Sequence, residues 1–183
     1  MNTFIAILRG INVSGKKIIK MDVLTELLEQ LSFENVTTYV QSGNAVFSSN
    51  LTDIKELADL IHDKIVESLD FEVPVLILTI EKLKKIIENN PFLKDSAIEK
   101  EFLHYTFLAN QPTEVNAEKV EDSKAVDEQY FITEDVVYLY CPNGYGKTKL
   151  TNNFFESVLN VSATTRNHNT TTSLLQLALM REN

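Results

Sequence analysis

What most narrows the folds open to this chain is the order in which its apolar spacing changes between Thr3 and Thr79. Residues 3–8 are β-rich and read as a strand, followed by a polar loop through Lys20. Met21, Leu24, Leu27, Leu28 and Leu31 then recur at the spacing of one helix face. Residues 36–41 and 44–48 read as two strands around Ser42-Gly43-Asn44, a tight hairpin signal. Asp53 suits the cap of a second helix, with Ile54, Leu57, Ile61 and Ile65 along one side. Residues 73–79 form an almost continuous apolar run, as expected of a strand buried on both faces. Strand, helix, strand, strand, helix, strand is the split βαβ, or ferredoxin-like, plan.

The second half repeats this order loosely. A helix over 81–89 leads into 90–100, where Pro91 and alternating charges predict a linker. Residues 102–109 read as a strand, 112–123 as a polar helix, and 129–133 with 136–141 as a hairpin around Glu134-Asp135. Leu150, Phe154, Phe155, Val158 and Leu159 mark a helix, 161–164 a short strand, and 173–180 a last helix. No repeat is visible residue by residue, so the duplication is one of architecture. The expected organisation is a ferredoxin-like subdomain at 1–89, a linker at 90–101, and a second α+β subdomain at 102–183 with a C-terminal helix. The fold class is α+β: two ferredoxin-like subdomains packed together, with antiparallel or mixed sheets.

Charge and cysteine usage limit the function classes. The net charge of −9 repels a phosphate backbone unless cations concentrate on one face, which makes nucleic acid an unlikely partner. A single cysteine, Cys141, excludes an intramolecular disulfide framework and a cysteine-rich metal site. The first apolar stretch ends at Arg9, too soon for a signal peptide, and no later run is long enough to span a membrane. The expectation is a cytoplasmic protein in a reducing compartment.

Three segments depart from ordinary punctuation. The first is Arg9-Gly10-Ile11-Asn12-Val13-Ser14-Gly15-Lys16-Lys17, where glycines let backbone N–H groups turn toward a ligand and the cations hold an anion. Its alternative is a glycine loop with solvated lysines. The second is Gln41-Ser42-Gly43-Asn44. Turn chemistry explains Gly43 and Asn44, whereas Gln41 and Ser42 are free to present an amide and a hydroxyl. The third, read as a loop, is Thr164-Thr165-Arg166-Asn167-His168-Asn169-Thr170, in which Asn or Thr would cap the last helix. Arginine suits bidentate recognition of carboxylate or phosphate, and the chain has only three. Arg9 and Arg166 both fall in these segments.

Other chemistry is weaker. Residues 141–148 place Gly-Lys-Thr between a strand and a helix, as a P-loop does, but the motif's first glycine would fall at Cys141. A glycine turn entering a helix is the better reading. His62, His104 and His168 lack metal-ligand spacing, and no Ser-His-Asp arrangement stands out. Cys141 has no obvious base and reads as a buried, inert thiol.

Taken together, residues 4–13, Lys16 and the stretch Tyr39-Val40-Gln41-Ser42-Gly43-Asn44-Ala45-Val46-Phe47 resemble the bacterial family of domains of unknown function 1697 (DUF1697). Asn90-Pro91-Phe92, the stretch 144–150 and Thr165-Arg166-Asn167 look like further motifs of that family. Ser14 stands where the family pattern often has glycine, and His168 where it often has tryptophan. The resemblance implies two α+β subdomains of ferredoxin-like character and no established function.

Three functional readings follow. The leading one is a site for a small anionic ligand, a phosphate or nucleotide compound, at polar loops between the subdomains. Its ligand-binding residues are Arg9, Gly10, Asn12, Lys16, Gln41, Ser42, Gly43, Asn44, Arg166 and Asn167. The alternative is a partner-binding or regulatory protein whose loops are structural locks. The least favoured is a single-stranded nucleic-acid module, because the strand at 44–48 offers only Phe47 and lacks the basic-aromatic pattern. No general base or nucleophile declares itself, so no reaction, cofactor or metal is assigned, and the oligomeric state is left open.

Overall fold

The computed structural model describes residues 1–181. The first half runs β1 (Asn2–Leu8), α1 (Met21–Gln30), β2 (Glu34–Thr38), β3 (Asn44–Ser49), α2 (Ile54–Leu69) and β4 (Val75–Thr79). Its sheet has the order β2-β3-β1-β4, with every neighbouring pair antiparallel. That is the ferredoxin-like arrangement, in which each helix crosses from one strand to a non-adjacent one. The register pairs Phe4 with Phe47 and Ala6 with Ala45, so alternate residues of β1 and β3 meet the helices. Phe4, Ala6, Leu8, Phe33 and Phe47 are buried with Leu24, Leu27 and Leu28 of α1 and Leu57, Ile61 and Ile65 of α2. Phe33 stacks on Phe47 with centroids 4.4 Å apart. At this exposure each of the leucine, isoleucine and phenylalanine side chains stabilises the fold by roughly 2 kcal/mol. The Asp53 carboxylate accepts from the N–H groups of Lys55 and Glu56 at 2.8 and 3.2 Å, and α2 ends at Asp70 in the left-handed region (φ 59°).

After α3 (Ile80–Glu88), the second half runs β5 (Leu103–Leu108), α4 (Ala117–Ser123), β6 (Gln129–Ile132), β7 (Val136–Tyr140), α5 (Asn152–Leu159), β8 (Ala163–Asn167) and α6 (His168–Leu179). Its sheet, β6-β7-β5-β8, repeats the first order and is again antiparallel throughout. One face carries Leu108, Val137, Leu139 and Ala163 onto Val120, Phe155, Val158 and Leu159 of the helices. The other face is aromatic: Tyr105 meets Tyr138 edge-on at 5.7 Å and stacks near Phe107 at 6.2 Å. The Tyr138 hydroxyl donates to Ile86 O at 2.8 Å.

Contacts divide the chain into two compact units, one of Met1–Lys85 together with the chain from Ser173 onward, the other Ile86–Thr172. The sequence places this junction at 90–101; the contacts place it inside α3 and again inside α6. Residues 90–101 are not featureless, since Pro91–Lys94 and Lys100–Phe102 are 3-10 turns, the first capped by the Asn90 carboxamide.

Several elements differ from expectation for identifiable reasons. β2 stops at Thr38, because Val40 takes a positive φ of 52° and Tyr39 N already bonds Asn44 O at 2.8 Å. The connection is therefore 39–43, longer than a tight turn. The helix expected over 112–123 is only Ala117–Ser123, started by the Asn116 side chain accepting from Lys119 N. The loop expected at 164–170 is the end of β8 and the start of α6. Threonines there tolerate the helix because Thr171 and Thr172 hydroxyls bond back to the carbonyls of Asn167 and His168.

Candidate functional site

Two loops of the first unit converge beside the ends of β1 and β3. The segment 9–20 winds tightly: Gly10, Asn12, Ser14, Gly15 and Lys17 all have positive φ, between 47° and 71°. Its centre is Asn12. The Asn12 Nδ2 donates to Ile19 O at 2.8 Å and to Gln41 O at 2.7 Å, while its Oδ1 accepts from Ile19 N at 2.9 Å. One carboxamide thus closes the loop on itself and fastens it to the hairpin. A second tie is Leu8 N to Gly43 O at 2.8 Å.

Glycine is required at 43. A Cβ there would lie 2.5 Å from Cδ1 of buried Ile11, and φ is +80°. Asn44 is fully buried, and its Nδ2 donates to Tyr39 O at 2.9 Å and to Ser42 Oγ at 3.1 Å. Asn12, Gly43 and Asn44 therefore build the loop face from within. Gly10, Lys16, Gln41 and Ser42 are exposed on it, and Arg9 is half-buried with its N–H on Pro74 O at 2.9 Å. Lys17 reaches across to donate to Glu72 O at 2.7 Å.

Charge is unevenly spread around these loops. The first carboxylate in the chain is Asp22, so Arg9, Lys16, Lys17 and Lys20 precede every acidic residue. The hairpin segment from Asn35 to Thr52 carries no charged side chain at all. In a protein of net charge −9, the charged side chains within these two loops are all cationic.

Arg166 and Asn167 belong to the second unit. Arg166 sits in β8 opposite Tyr105, is buried, and donates from Nη1 to Thr164 Oγ1 at 3.1 Å and Thr165 O at 2.8 Å. Burial lowers its pKa to about 10. The Asn167 Oδ1 accepts from Thr170 N at 2.8 Å and so caps α6. Next to it, His168 Nδ1 lies 2.9 Å from the Tyr105 hydroxyl. Burial, then the charge of Lys100, lowers the His168 pKa, and burial pushes Tyr105 up to about 12. Asn90 stands in the Asn90-Pro91-Phe92 stretch that resembles a family motif and precedes Pro91 as a capping residue does, whereas nothing in the sequence marks Tyr105.

The Gly-Lys-Thr stretch is spent on structure. Tyr145–Lys147 is a 3-10 turn, the Thr148 hydroxyl accepts from Leu150 N at 2.9 Å, and the Tyr145 hydroxyl accepts from Asn152 N, the first residue of α5. The helix starts beyond the lysine and threonine, unlike a P-loop helix. Cys141 is buried, and burial followed by the nearby Glu128 carboxylate pushes its thiol up to about 12, which leaves it unreactive. Among the described residues, no three His, Cys, Asp or Glu side chains cluster as a metal site requires, and no helix is long and apolar enough to cross a membrane.

Comparison with known proteins adds the family. The model described as a protein of unknown function (DUF1697) matches residues 1–138. The chain belongs to the DUF1697 family. The match includes both loops of the first unit and stops before Arg166 and Asn167. A solved structure, the conserved bacterial protein SP0830 from Streptococcus pneumoniae, is similar with a TM-score of 0.72 at 21% identity. The alignment covers 97% of this chain and 98% of that one. At this identity the likeness shows that the two share a fold. No curated protein matches this DUF1697 chain.

Proposed function

We propose that the loop face of the first unit binds a small anionic ligand of phosphate or nucleotide type. The observation that carries this reading is the clasp: Asn12 holds 9–20 against the hairpin, so exposed Lys16, Gln41 and Ser42 share one rigid surface with Arg9. Left-handed residues at 10, 12, 14, 15 and 17 make the tight backbone turns from which anion-binding concavities are built. The four cations that precede the first carboxylate supply the charge. Arg166 and Asn167 belong to the second unit, and this proposal is made for the residues of the first unit alone. β1 and β3 are buried along nearly their whole length, which weighs against stacking of bases on this sheet.

A melting-temperature panel of inorganic phosphate, sugar phosphates and nucleotides tests the reading. The expected result is a saturable rise with at least one of them, lost in Lys16→Glu while the unliganded melting temperature stays put. No rise with any compound, or a rise that Lys16→Glu leaves intact, refutes it.

A second reading has its own support. The Asn12 and Asn44 carboxamides are committed to internal partners, as a structural lock in a partner-binding or regulatory protein would be. Under that reading Asn12→Ala lowers stability and no anion restores it.

A further inference from the structure

The loop face of the first unit also holds side chains that an anion alone leaves unused. Val13, Ile18 and Val40 are large apolar residues within its two loops, and they are 59%, 55% and 45% exposed. Scattered singly, such residues need no explanation. Here the backbone gathers them around one carboxamide. Val13 follows Asn12, Ile18 precedes Ile19, and Val40 precedes Gln41. The Asn12 side chain bonds Ile19 N, Ile19 O and Gln41 O at between 2.7 and 2.9 Å.

Two details tie these residues to the binding chemistry. Val13 and Lys16 pair across an isolated antiparallel bridge, with Lys16 N donating to Val13 O at 3.0 Å. Ser14 and Gly15 between them are both left-handed, as in a two-residue hairpin turn. Residues paired in this way send their side chains to the same side of the ribbon, so the Val13 isopropyl group lies beside the Lys16 chain. The second detail is Val40. It is β-branched and held at φ 52°, a conformation that suits glycine and strains a branched residue. Nearly half of its surface stays in water, so burial does little to offset that strain. Strain without burial marks a side chain whose contact lies outside the fold.

We propose that the ligand of the loop face is a nucleoside phosphate, its base lying on Val13, Ile18 and Val40 and its phosphate on Lys16. This rests on the anion reading above and narrows it. A base has apolar faces that aliphatic side chains cover. It also has polar edges, for which the exposed Gln41 amide offers both a donor and an acceptor. Inorganic phosphate and sugar phosphates leave the three apolar groups wet, and an acyl chain gives the Gln41 amide no polar edge to meet.

Calorimetric titration with the four ribonucleoside monophosphates and with ribose phosphate, which lacks the base, tests this. At least one nucleotide should bind about tenfold or more tightly than ribose phosphate, with a negative heat-capacity change. Val13→Ser and Ile18→Ser should each lower nucleotide affinity about threefold or more and leave ribose phosphate unchanged. Val40→Gly should do the same while the unliganded protein stays at least as stable, a combination that a structural role for Val40 does not give. Lys16→Glu should abolish both ligands. Equal binding of nucleotide and ribose phosphate, both lost in Lys16→Glu, overturns the base assignment and leaves the anion reading standing. A nucleotide preference that survives all three apolar variants also overturns it. No binding of any compound, or binding indifferent to Lys16→Glu, overturns both. Binding to anionic lipid vesicles in place of nucleotide, reduced by the same apolar variants, assigns the face to a membrane surface and overturns the proposal as well.

Discussion

The two units share one strand order, yet they close their central hairpins by different means. Between β6 and β7 only residues 133–135 intervene, and one hydroxyl organises them. Thr133 Oγ1 donates to Val136 O at 2.8 Å and accepts from Val136 N at 3.1 Å. Between β2 and β3 the connection is 39–43, with a β-branched residue at positive φ and a glycine pressed on Ile11. The links that follow the first strands differ likewise. In the second unit 109–116 ends in a plain Asn116 cap, whereas in the first 9–20 is wound around Asn12. The second unit shows how little the fold requires at these places. What the first has in excess is therefore a feature of its loops and not of its topology.

Substitution at the glycines is the severest way to break this contrast. Gly43→Ala should cost about 3 kcal/mol or more, from strain at positive φ and overlap with Ile11. Gly144→Ala, at φ +89° but with nothing within 4 Å of the added carbon, should cost only about 1 kcal/mol. Denaturant unfolding compares the two directly, and equal losses would mean that the contact with Ile11 is not tight.

Removing the clasp comes next. Asn12→Ala forfeits three hydrogen bonds and should destabilise by about 2 kcal/mol. Its counterpart in the simpler hairpin, Thr133→Val, should cost about 1 kcal/mol. A reversed ranking would make the clasp incidental.

The pH response should be gentler and should come from the second unit. Burial lowers the pKa values of both His104 and His168 there. Their folded pKa values lie below the unfolded value near 6.5, so the unfolded chain binds more protons as pH falls past that point. Stability is then fully present above about pH 6.5 and declines below it. Urea midpoints measured from pH 7.5 down to 5.5 should fall, and His168→Gln should flatten the trend. The smallest effect belongs to Lys16→Glu, which should change stability by less than about 0.5 kcal/mol because the residue is exposed. A larger loss would give Lys16 a structural part and weaken the case for a ligand.

The plan of both units was legible in the sequence because it depends on period alone. Leucines of α1 at helical spacing and the apolar run before Thr79 carry it without help from distant residues. Where side chains bond across the chain, local reading failed. Val40 looks like a strand residue, but Asn44 bonding back to Tyr39 ends the strand early. Thr164 to Thr170 looks like a polar loop, but pairing of Arg166 with Tyr105 makes it strand and then helix. For the loop face, Arg9, Lys16, Gln41 and Ser42 were visible as unusual residues. That Asn12 is the fastener was not, since Gln41 O lies 29 positions away. The Tyr105–His168 hydrogen bond was equally hidden, because no spacing rule links a strand residue to a helix start 63 positions on.

The split inside α6 bears on how the protein is made. The second unit is one unbroken stretch, whereas the first includes residues that follow it, with Ser173 Oγ bonded to the Tyr39 hydroxyl at 3.1 Å and Arg181 to Thr37. On a ribosome, the part translated first is the part that must wait. Its four strands are made by Thr79, but it lacks the segment from Ser173 while the later unit emerges whole, so nascent chains halted before Ser173 should hold a folded second unit beside an incomplete first.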